Sequence, residues 1–547
     1  MPGPSASLKG ALQIGLALLS TVAWLQPPAV LPLPSRTGAD GPPRPFGVEP
    51  PTGANPAHTD RSLARMQSHA LLYGPFPRGG LARGVSDGAL MLSQQADVRT
   101  LTMSRIRALG GSVARIPVDW RSIVQATPPA GFQPRDPASP AYRFSQLDAA
   151  VLSAAAAGLQ PLLVVSHAPA FAEAPNRWPH AYPGSWAPSG AALGDFAAAL
   201  ARRYDGAFPD PLRPGSTLPR VRLLQAWNEP NLARYLEPQW VASGRRWSAF
   251  SPLLYRQLLN GFYAGVKSVQ PGDTVLAAGI APEGEPAGVG AMAPVSFLEG
   301  LLCLRGAART NCTQRPHLDV LAFHPLSVGN PDAVAASSLD ASIADIAKIT
   351  GLLARAERLR TVLPAGRRTV WVTELNWKSS PPSSQGVPGP LQAGWISRAL
   401  HRLWVAGVSV VDWQFLIDPY GGTPLALPDG GLSLYPRPAG LYAPGPEGDT
   451  ALARPKPFLR GFTLPFDPLR VNRRQVRVWA LLMYGRQPAL LQRQGHDGRW
   501  RTIARLRSDR SGVLNRLLRL NGAAGLRLRV GGLSSASERV SGGRSSL

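Results

Sequence analysis

Cysteine is almost absent from this sequence, with two residues in 547. So few thiols exclude a small domain held together by several disulfides, and they exclude a zinc site made of four cysteines. Cys303 and Cys312 are close enough in sequence for a disulfide that closes a short loop, which an exported protein permits. We expect that disulfide, and the alternative is two unpaired thiols that pack as small hydrophobic residues.

Long apolar runs are also missing. The apolar run near the N-terminus, Ala11–Ala23, is shorter than the roughly 20 residues that span a membrane. It follows Lys9 and is typical of a signal peptide over residues 1–25, with an uncleaved membrane anchor as the alternative. Residues 26–73 are rich in proline and glycine and predict a linker. We therefore expect a protein that is secreted or associated with the cell envelope.

Lysine is scarce too, since five of the 58 basic residues are lysine and the others are arginine, which is typical of a GC-rich bacterial genome. The formal net charge is +25, and from Arg470 onward 17 arginines face only Asp497, Asp509 and Glu538, a difference of 14. An arginine-rich strand pattern of this kind is typical of a solvated sheet face. The alternative hypothesis, which the charge excess suggests, is that this region holds the enzyme to an anionic cell-wall polymer or acidic polysaccharide. The sequence contains no nucleic-acid recognition module, so we do not expect nucleic acid as a partner.

From about residue 82 onward, short apolar runs rich in β-branched residues alternate with longer helical patterns. Such alternation is typical of βα units with parallel strands. Eight units between residues 74 and 466 fit a closed (β/α)₈ barrel with long loops better than an open sheet. The predicted strands are Ala82–Val85, Ser112–Val118, Gln160–His167, Val221–Trp227, Thr274–Ile280, Leu318–His324, Thr369–Glu374 and Val408–Phe415. The predicted helices are Val98–Leu109, Ser145–Ala157, Ala191–Tyr204, Pro252–Val269, Val295–Leu304, Ala341–Leu359 and Leu391–Ala406.

The pattern changes beyond Asp467, where apolar and polar residues alternate, as in Gln475–Ala480 and Leu526–Val530. A period of two with one polar face is typical of antiparallel strands. We predict a small accessory domain over residues 467–547 that resembles a β-sandwich and has an arginine-rich outer face.

Polar or aromatic side chains stand where several predicted strands end, and a barrel of this type carries its active site at the carboxyl ends of its strands. They are Arg115, His167, Asn228, Glu229, His324, Glu374 and Trp413. Glu229 ends the fourth strand in Trp-Asn-Glu-Pro, and Glu374 ends the seventh in Thr-Glu-Leu-Asn-Trp. Cleavage of a glycosidic bond needs one carboxyl group to protonate the leaving oxygen and a second, ionised one to attack the sugar carbon. We therefore predict Glu229 as general acid/base and Glu374 as nucleophile.

These motifs resemble those of glycoside hydrolase clan A, particularly its cellulase-like and β-xylosidase/iduronidase-like families. Asn-Glu-Pro after strand four resembles the acid/base motif of the clan, and Thr-Glu at the end of strand seven resembles its nucleophile motif. The likeness extends from about Gly74 to Phe466. It includes Arg115 with Trp120, the run His167-Ala-Pro, the run Phe323-His324-Pro325, Trp413 with Asp418, and Lys456-Pro457.

The resemblance implies roles for the residues around the two glutamates. Asn228 is expected to bind the sugar 2-hydroxyl, and Trp413 to form a flat platform under the sugar ring. The residues expected to position the carboxylates or bind substrate are Arg115, His167, His324 and Trp377. We expect neither a cofactor nor a metal ion. Loop aromatics that either stack on further sugars or fasten the loops are Trp178, Trp186, Tyr235, Trp240 and Trp247.

Two positions depart from the pattern of the clan and leave the sugar specificity open. Leu326 follows strand six where such enzymes often carry a tyrosine that holds the nucleophile, and Phe171 stands where a tryptophan is frequent. Neither change removes a catalytic carboxylate. The sequence predicts a retaining O-glycosidase acting on a polysaccharide or oligosaccharide, and the alternative is a secreted carbohydrate-binding protein that kept the barrel without turnover.

Overall fold

A computed structural model of the chain describes residues 79–304, 312, 314–326, 329–420 and 438–541. All of these belong to one compact unit, Gly53–Leu547. The predicted signal peptide and linker, residues 1–73, lie outside the described residues.

Eight parallel strands close into a barrel, which confirms the predicted (β/α)₈ fold. In chain order they are β1 (Ala82–Ser86), β2 (Val113–Asp119), β3 (Gln160–Ser166), β4 (Leu223–Ala226), β5 (Thr274–Ile280), β6 (Val320–Phe323), β7 (Thr369–Leu375) and β8 (Val410–Gln414). Each strand pairs with its neighbours in sequence, and β1 closes the ring against β8, with Gly84 opposite Asp412. Each predicted strand overlaps one of these.

Helices follow the strands, and their amphipathic faces cover the outside of the barrel. The longer ones are α1 (Ala96–Ala108), α2 (Ser145–Ala156), α3 (Gly190–Arg203), α4 (Ser251–Lys267), α5 (Pro294–Leu301), α6 (Ile346–Leu359) and α7 (Gly389–Val405). Short helices are Gly88–Met91, Trp120–Ile123 and Leu459–Thr463. Helix α6 begins later than the predicted Ala341, because Asp345 Oδ2 accepts from the backbone of Ala335 and Ser342 and fixes a turn there.

Inside the barrel the strands contribute an apolar layer of tightly buried side chains. Its members are Val113, Leu162, Val164, Leu223, Leu276, Val320, Ala322, Trp371 and Val410. A larger cluster fills the space between the strands and the helices. The interior of the barrel is therefore a packed core, and we look for functional groups at the ends of its strands.

Short strands lie in the loops and later in the chain. A hairpin of Trp240–Ser243 and Arg246–Ala249 follows β4, and two small sheets pair Ser379–Ser380 with Val387–Pro388 and Tyr442–Ala443 with Arg454–Pro455.

The C-terminal region forms two antiparallel sheets that share an apolar core. One contains β9 (Phe466–Asn472), β10 (Gln475–Leu481) and β13 (Val513–Arg519). The other contains β11 (Pro488–Gln494), β12 (Trp500–Arg507), β14 (Ala524–Val530), β15 (Leu533–Ser534) and β16 (Glu538–Val540). Val478 from the first sheet and Leu491 and Leu528 from the second meet in this core, in agreement with the predicted sandwich-like arrangement.

The sandwich packs against the barrel through α7. The ring of His401 stacks on Trp479 of β10 with 4.7 Å between ring centroids, and His401 Nδ1 lies 2.6 Å from Asp467 Oδ2. Trp479 thereby belongs to the barrel's own apolar cluster.

Cys303 and Cys312 form a disulfide, as expected. Among the helices in the described part of the chain, none is long and apolar enough to cross a membrane.

Candidate active site

The polar residues of the site lie at the carboxyl ends of the barrel strands. Side chains alternate along a strand, so residues two apart point into the same space. On β2, Val113 belongs to the apolar interior and Arg115 stands two residues later, and on β8 the same step leads from Val410 to Asp412. Polar side chains therefore replace apolar ones at one end of the barrel.

Arg115 holds Glu374 at the centre of this end. Its Nη1 lies 2.9 Å from Glu374 Oε1, and both side chains are almost fully buried. Nη1 also donates to Ser86 Oγ at 3.1 Å, and Nη2 donates to Asn228 Oδ1 at 2.7 Å. A guanidinium this close favours the ionised form of Glu374, which is the form that a nucleophile needs.

His324 connects the two glutamates. Its Nδ1 lies 2.9 Å from Glu229 Oε1 and 3.9 Å from Glu374 Oε1, and its Nε2 lies 2.9 Å from Thr373 Oγ1. With its proton on Nδ1, the ring donates to Glu229 and accepts from the Thr373 hydroxyl. The fully buried ring thus orients one oxygen of Glu229 and leaves the other to meet a substrate.

Glu229 and Glu374 face each other at short range. One carboxylate oxygen of each, together with a ring nitrogen of His324, forms a group whose atoms all lie within 4.8 Å of one another. Two carboxylates and an imidazole at this spacing could also hold a metal ion, but here the Arg115 guanidinium supplies the positive charge beside Glu374. Two carboxyl groups at this separation fit acid/base and nucleophilic chemistry.

The loop that carries Glu229 is held in an unusual backbone conformation. Trp227 has φ 72° and Glu229 has φ 39°, both in the left-handed region that residues with side chains rarely adopt. Hydrogen bonds fix this shape: Trp227 Nε1 donates to Tyr235 O at 2.7 Å, and Asn231 Oδ1 accepts from Ala281 N at 2.9 Å. Strain of this kind persists only where the surroundings fix it, and it is concentrated at functional sites.

The structure brings five of the eight predicted site residues into one hydrogen-bonded cluster. They are Arg115, Asn228, Glu229, His324 and Glu374. His167 is buried directly after β3, the strand between the one that carries Arg115 and the one that precedes Glu229. Its Nδ1 lies 3.0 Å from Ser166 Oγ, and the centroid of its ring lies 5.3 Å from that of Tyr235. Its role in positioning substrate stays a prediction.

Trp413 and Trp377 lie elsewhere than the resemblance implied. They are 1% and 3% exposed, and their ring centroids are 6.2 Å apart. Trp413 Nε1 donates to Ala439 O at 2.8 Å, and its ring packs against Phe458 and Phe462. A sugar platform needs an uncovered ring face, and neither indole presents one in this structure, so the substrate-binding roles expected for them stay predictions. They form part of the aromatic core behind the site.

The two departures from the clan pattern follow His324 and His167 in the chain by two and four residues. Leu326 lines a cavity of about 130 Å³ together with Pro282 and Glu283. Phe171 is 45% exposed and makes an edge contact with Trp120. Leu326 stands after strand six in place of the tyrosine of that pattern, and Arg115 and His324 are among the residues that lie close to Glu374.

Sequence reasoning missed Asp412, Thr373 and Ser86. Asp412 is fully buried on β8, and its burial raises the pKa of its carboxyl to about 8, with Arg115 lowering and Glu374 raising it. The signal that could have identified Asp412 is the presence of a charged residue within the otherwise apolar start of the strand Val410–Gln414. Asp119, at the carboxyl end of β2, is a further carboxyl group at this end of the barrel. Burial raises its pKa to about 6, although the nearby Arg121 lowers it.

No protein-family model matches the sequence, and no curated protein matches it. Solved structures do. A family 39 glycoside hydrolase from Bacteroides cellulosilyticus WH2 is 18% identical, with 80% of this chain and 79% of that chain covered and a TM-score of 0.47. A glucosidase from Croceicoccus marinus is 13% identical, with 82% and 95% covered and a TM-score of 0.46. A family 39 β-xylosidase from Caulobacter crescentus is 13% identical, with 82% and 97% covered and a TM-score of 0.42.

Glycoside hydrolases of families 30 and 5 also match, at 10% and 17% identity. At these identities the likeness concerns the fold alone.

Proposed function

We propose that this chain is a retaining glycoside hydrolase in which Glu229 is the general acid/base and Glu374 the nucleophile. The observation that carries the proposal is the short distance between the two carboxyl groups, which have oxygens within 4.8 Å of each other. A separation near 5 Å leaves no room for a water molecule between nucleophile and sugar, and it is typical of retention, whereas inversion needs roughly 6.5 to 9.5 Å.

The two glutamates differ in their surroundings in the way this mechanism requires. Glu374 lies against the Arg115 guanidinium and is ionised for attack on the anomeric carbon. Glu229 has no arginine in its described contacts and lies 2.9 Å from His324 Nδ1, so we assign it, rather than Glu374, the role of the acid.

The reaction then takes two steps. Glu374 attacks the anomeric carbon while Glu229 gives its proton to the leaving oxygen, which yields a glycosyl ester of Glu374 and an ionised Glu229. Glu229 next removes a proton from a water molecule that attacks the same carbon, and Glu374 leaves as a carboxylate. Asn228 accepts from Arg115 through Oδ1, so its NH₂ group is directed to the sugar hydroxyls, where a hydrogen bond strengthens at the transition state.

Turnover of a panel of aryl β-glycosides and of xylan, glucan and mannan tests this function. We expect hydrolysis with the anomeric configuration of the first product retained, as followed by proton NMR. Glu374→Gln and Glu229→Gln should each lower kcat by at least about 10²-fold to 10⁴-fold, whereas the exposed Glu447→Gln should not change it. Binding of a glycan without turnover would support the carbohydrate-binding alternative, and an inverted product would refute the double displacement.

Exposed aromatic rings in the loops at this end of the barrel offer surfaces for further sugars of a chain. Trp178 in the loop after β3 is 44% exposed, and Trp247 in the hairpin after β4 is 48% exposed. Rings with one open face stack on the flat faces of sugars. We therefore propose a polysaccharide or oligosaccharide as the substrate rather than a small aryl glycoside alone.

We also propose that the C-terminal sandwich holds an anionic cell-wall polymer through the outer face of its larger sheet. The strand positions on this face alternate with those in the apolar core and carry Arg505, Arg507, Arg527, Arg529 and Arg539. Arg505 and Arg529 stand on either side of Leu490. The described strands of this sheet place no carboxylate on the face. Like charges side by side cost stability, and a polyanion would relieve that cost.

A comparison of two triple variants of the full chain tests this surface. Arg505→Ser, Arg507→Ser and Arg529→Ser together should weaken retention on immobilised polygalacturonate and reduce its salt dependence. The control carries the same charge change at exposed arginines in turns: Arg473→Ser, Arg474→Ser and Arg510→Ser. Equal weakening by both variants, or equal retention on neutral dextran, would show that no specific face is involved.

Export from the cytoplasm is part of the same proposal. The disulfide between Cys303 and Cys312 supports an oxidising compartment. Fractionation of cells that produce the full chain would place the protein in the medium or envelope if this is correct, and in the cytoplasm if it is not.

A further inference from the structure

Asp412 is a fully buried aspartate that the proposed reaction does not use. It lies on β8, which pairs with the strand that carries Glu374, and solvent does not reach its side chain. Neither of its carboxylate oxygens has a hydrogen-bond partner among the described residues. A buried carboxyl group without partners is costly, so its presence calls for a physical reason.

The space that Asp412 occupies exists because its neighbour on β1 has no side chain. Gly84 is paired with Asp412, and a Cβ placed on Gly84 would lie 1.8 Å from Asp412 Oδ1. On the other side of Gly84, strand β2 contributes Val113, and Arg115 follows two residues later, opposite Ser86. The aspartate is therefore accommodated in the space beside Gly84 between β8 and β2, and Arg115 stands two residues further along β2.

The charge of the Arg115 guanidinium acts on two carboxyl groups at this place, and it is paired with only one of them, Glu374. Arg115 uses Nη1 for Glu374 and Nη2 for Asn228, and its buried Nε has no hydrogen-bond partner in the described part of the chain. The charged groups that act on Asp412 are Arg115 from β2 and Glu374 from β7, and Gly84 on β1 adds none. One cation does not stabilise two buried carboxylates, so one of them keeps a proton.

Glu374 is hydrogen-bonded to the guanidinium, and Asp412 is not, so the proton belongs on Asp412. The raised pKa of about 8 agrees with this assignment, since burial is its largest cause and the charge of Glu374 adds to it.

We propose that Asp412 is a positioning residue for Glu374: while it is neutral it leaves the Arg115 guanidinium to the nucleophile, and when it loses its proton it competes for that guanidinium. This inference rests on the proposed role of Glu374. It makes Asp412 the group that limits activity at alkaline pH, although it touches no substrate.

The pH dependence of kcat/KM of the full chain tests the proposal. With an aryl glycoside that the wild type hydrolyses, activity should fall above about pH 8, by up to tenfold for each further pH unit. Asp412→Asn keeps the shape of the neutral carboxyl group and cannot ionise, so its alkaline limb should move up by at least one pH unit. An unchanged alkaline limb in Asp412→Asn would overturn the proposal.

A matched control separates this effect from the general loss of a buried aspartate. Asp87 follows β1 and is buried, its pKa is raised by burial to about 6, and it accepts from the backbone of Leu416 and Ile417. Asp87→Asn should leave the alkaline limb where the wild type has it. A shift of that limb in both variants would mean that Asp412 acts only through stability.

A second measurement does not depend on turnover. The carboxyl of Asp412 binds its proton in the folded state up to about pH 8 and releases it near pH 4 in the unfolded chain. The folded state therefore holds the extra proton between these values, and the stability that it contributes is lost as pH rises through this window. Between pH 5 and pH 8 the Tm of the wild type should fall relative to that of Asp412→Asn, and parallel Tm curves would refute the neutral aspartate.

The two measurements keep the two proposals apart. If the wild type hydrolyses no glycoside but its Tm falls relative to that of Asp412→Asn, then the protonated aspartate stands and the glycosidase function fails. If hydrolysis is observed and both the alkaline limb and the Tm curve are unchanged by Asp412→Asn, then the function stands and the role of Asp412 fails.

Discussion

Gly279 lies against the Nε2 side of the His324 ring, whose Nδ1 faces the two glutamates. A Cβ on Gly279 would lie 2.8 Å from His324 Nε2 and 2.8 Å from Gln225 Nε2. Gly279 also has φ 77°, in the left-handed region where a side chain is strained. The position of the histidine thus depends on the absence of a side chain on the neighbouring strand.

Gly279→Ala should therefore lower kcat by about tenfold or more, because a shift of an oriented group by about 1 Å is enough for such losses. It should also lower the free energy of unfolding by about 1–2 kcal/mol, the usual cost of left-handed backbone for a residue with a Cβ. Gly272→Ala is the control, since no atom lies within 4 Å of its Cβ position. Steady-state kinetics and urea denaturation of both variants check this, and equal kcat values for Gly279→Ala and wild type would contradict it.

Arg115 should be sensitive to shape as well as to charge. Its guanidinium reaches Glu374 with one nitrogen and Asn228 with the other. Arg115→Lys keeps the charge but loses this fork, so we expect kcat/KM to fall by about 10²-fold, the cost of one positioned donor at an active site. Arg115→Met, which also leaves Glu374 without a counter-ion, should fall further. Full activity of Arg115→Lys would show that the simultaneous contact of the guanidinium with Glu374 and Asn228 has no role in the reaction.

The positions of the strands and of the proposed catalytic pair followed from local patterns. Apolar runs separated by helical patterns marked all eight strands, and Glu229 and Glu374 lie where two of those strands end. The strand pattern also places the two residues at one end of the barrel, because parallel strands carry their carboxyl ends together.

Contacts between side chains of different strands did not follow from these patterns. The pairing of Asp412 with Gly84 depends on the closure of β8 against β1, which joins residues more than 300 positions apart. The burial of Trp413 depends on Phe458 and Phe462, which lie beyond the last strand. A motif names the residue types at a strand end, whereas the packing of distant segments decides which of them stays uncovered.

Trp413 should behave as a core residue. Trp413→Phe removes a hydrogen bond to Ala439 O and leaves a cavity, so it should lower the free energy of unfolding by about 2–4 kcal/mol. KM should change by less than about twofold, because the ring has no open face for a sugar. Thermal denaturation and kinetics on a glycoside distinguish the two roles: a large rise in KM at unchanged Tm would restore the platform.

A buried ion pair between α2 and α3 should contribute far more to stability than an exposed one nearby. Asp148 Oδ1 accepts from Arg203 Nε at 2.7 Å and from the Tyr204 hydroxyl at 2.9 Å, and the Arg203 guanidinium lies over the ring of Phe144. Removing the carboxylate leaves a buried, unpaired guanidinium, so Asp148→Ala should cost about 3–5 kcal/mol of unfolding free energy.

The comparison is Asp195, whose pair with Arg135 spans 3.1 Å with both side chains more than a third exposed. Solvent screens such a pair, and Asp195→Ala should cost less than about 1 kcal/mol. Urea denaturation of the two variants at neutral pH measures both costs. A similar loss in the two would mean that burial of the Asp148–Arg203 pair adds nothing to the packing of α2 on α3. A loss confined to Asp148→Ala would identify this pair as the contact that fixes the two helices against each other behind β3.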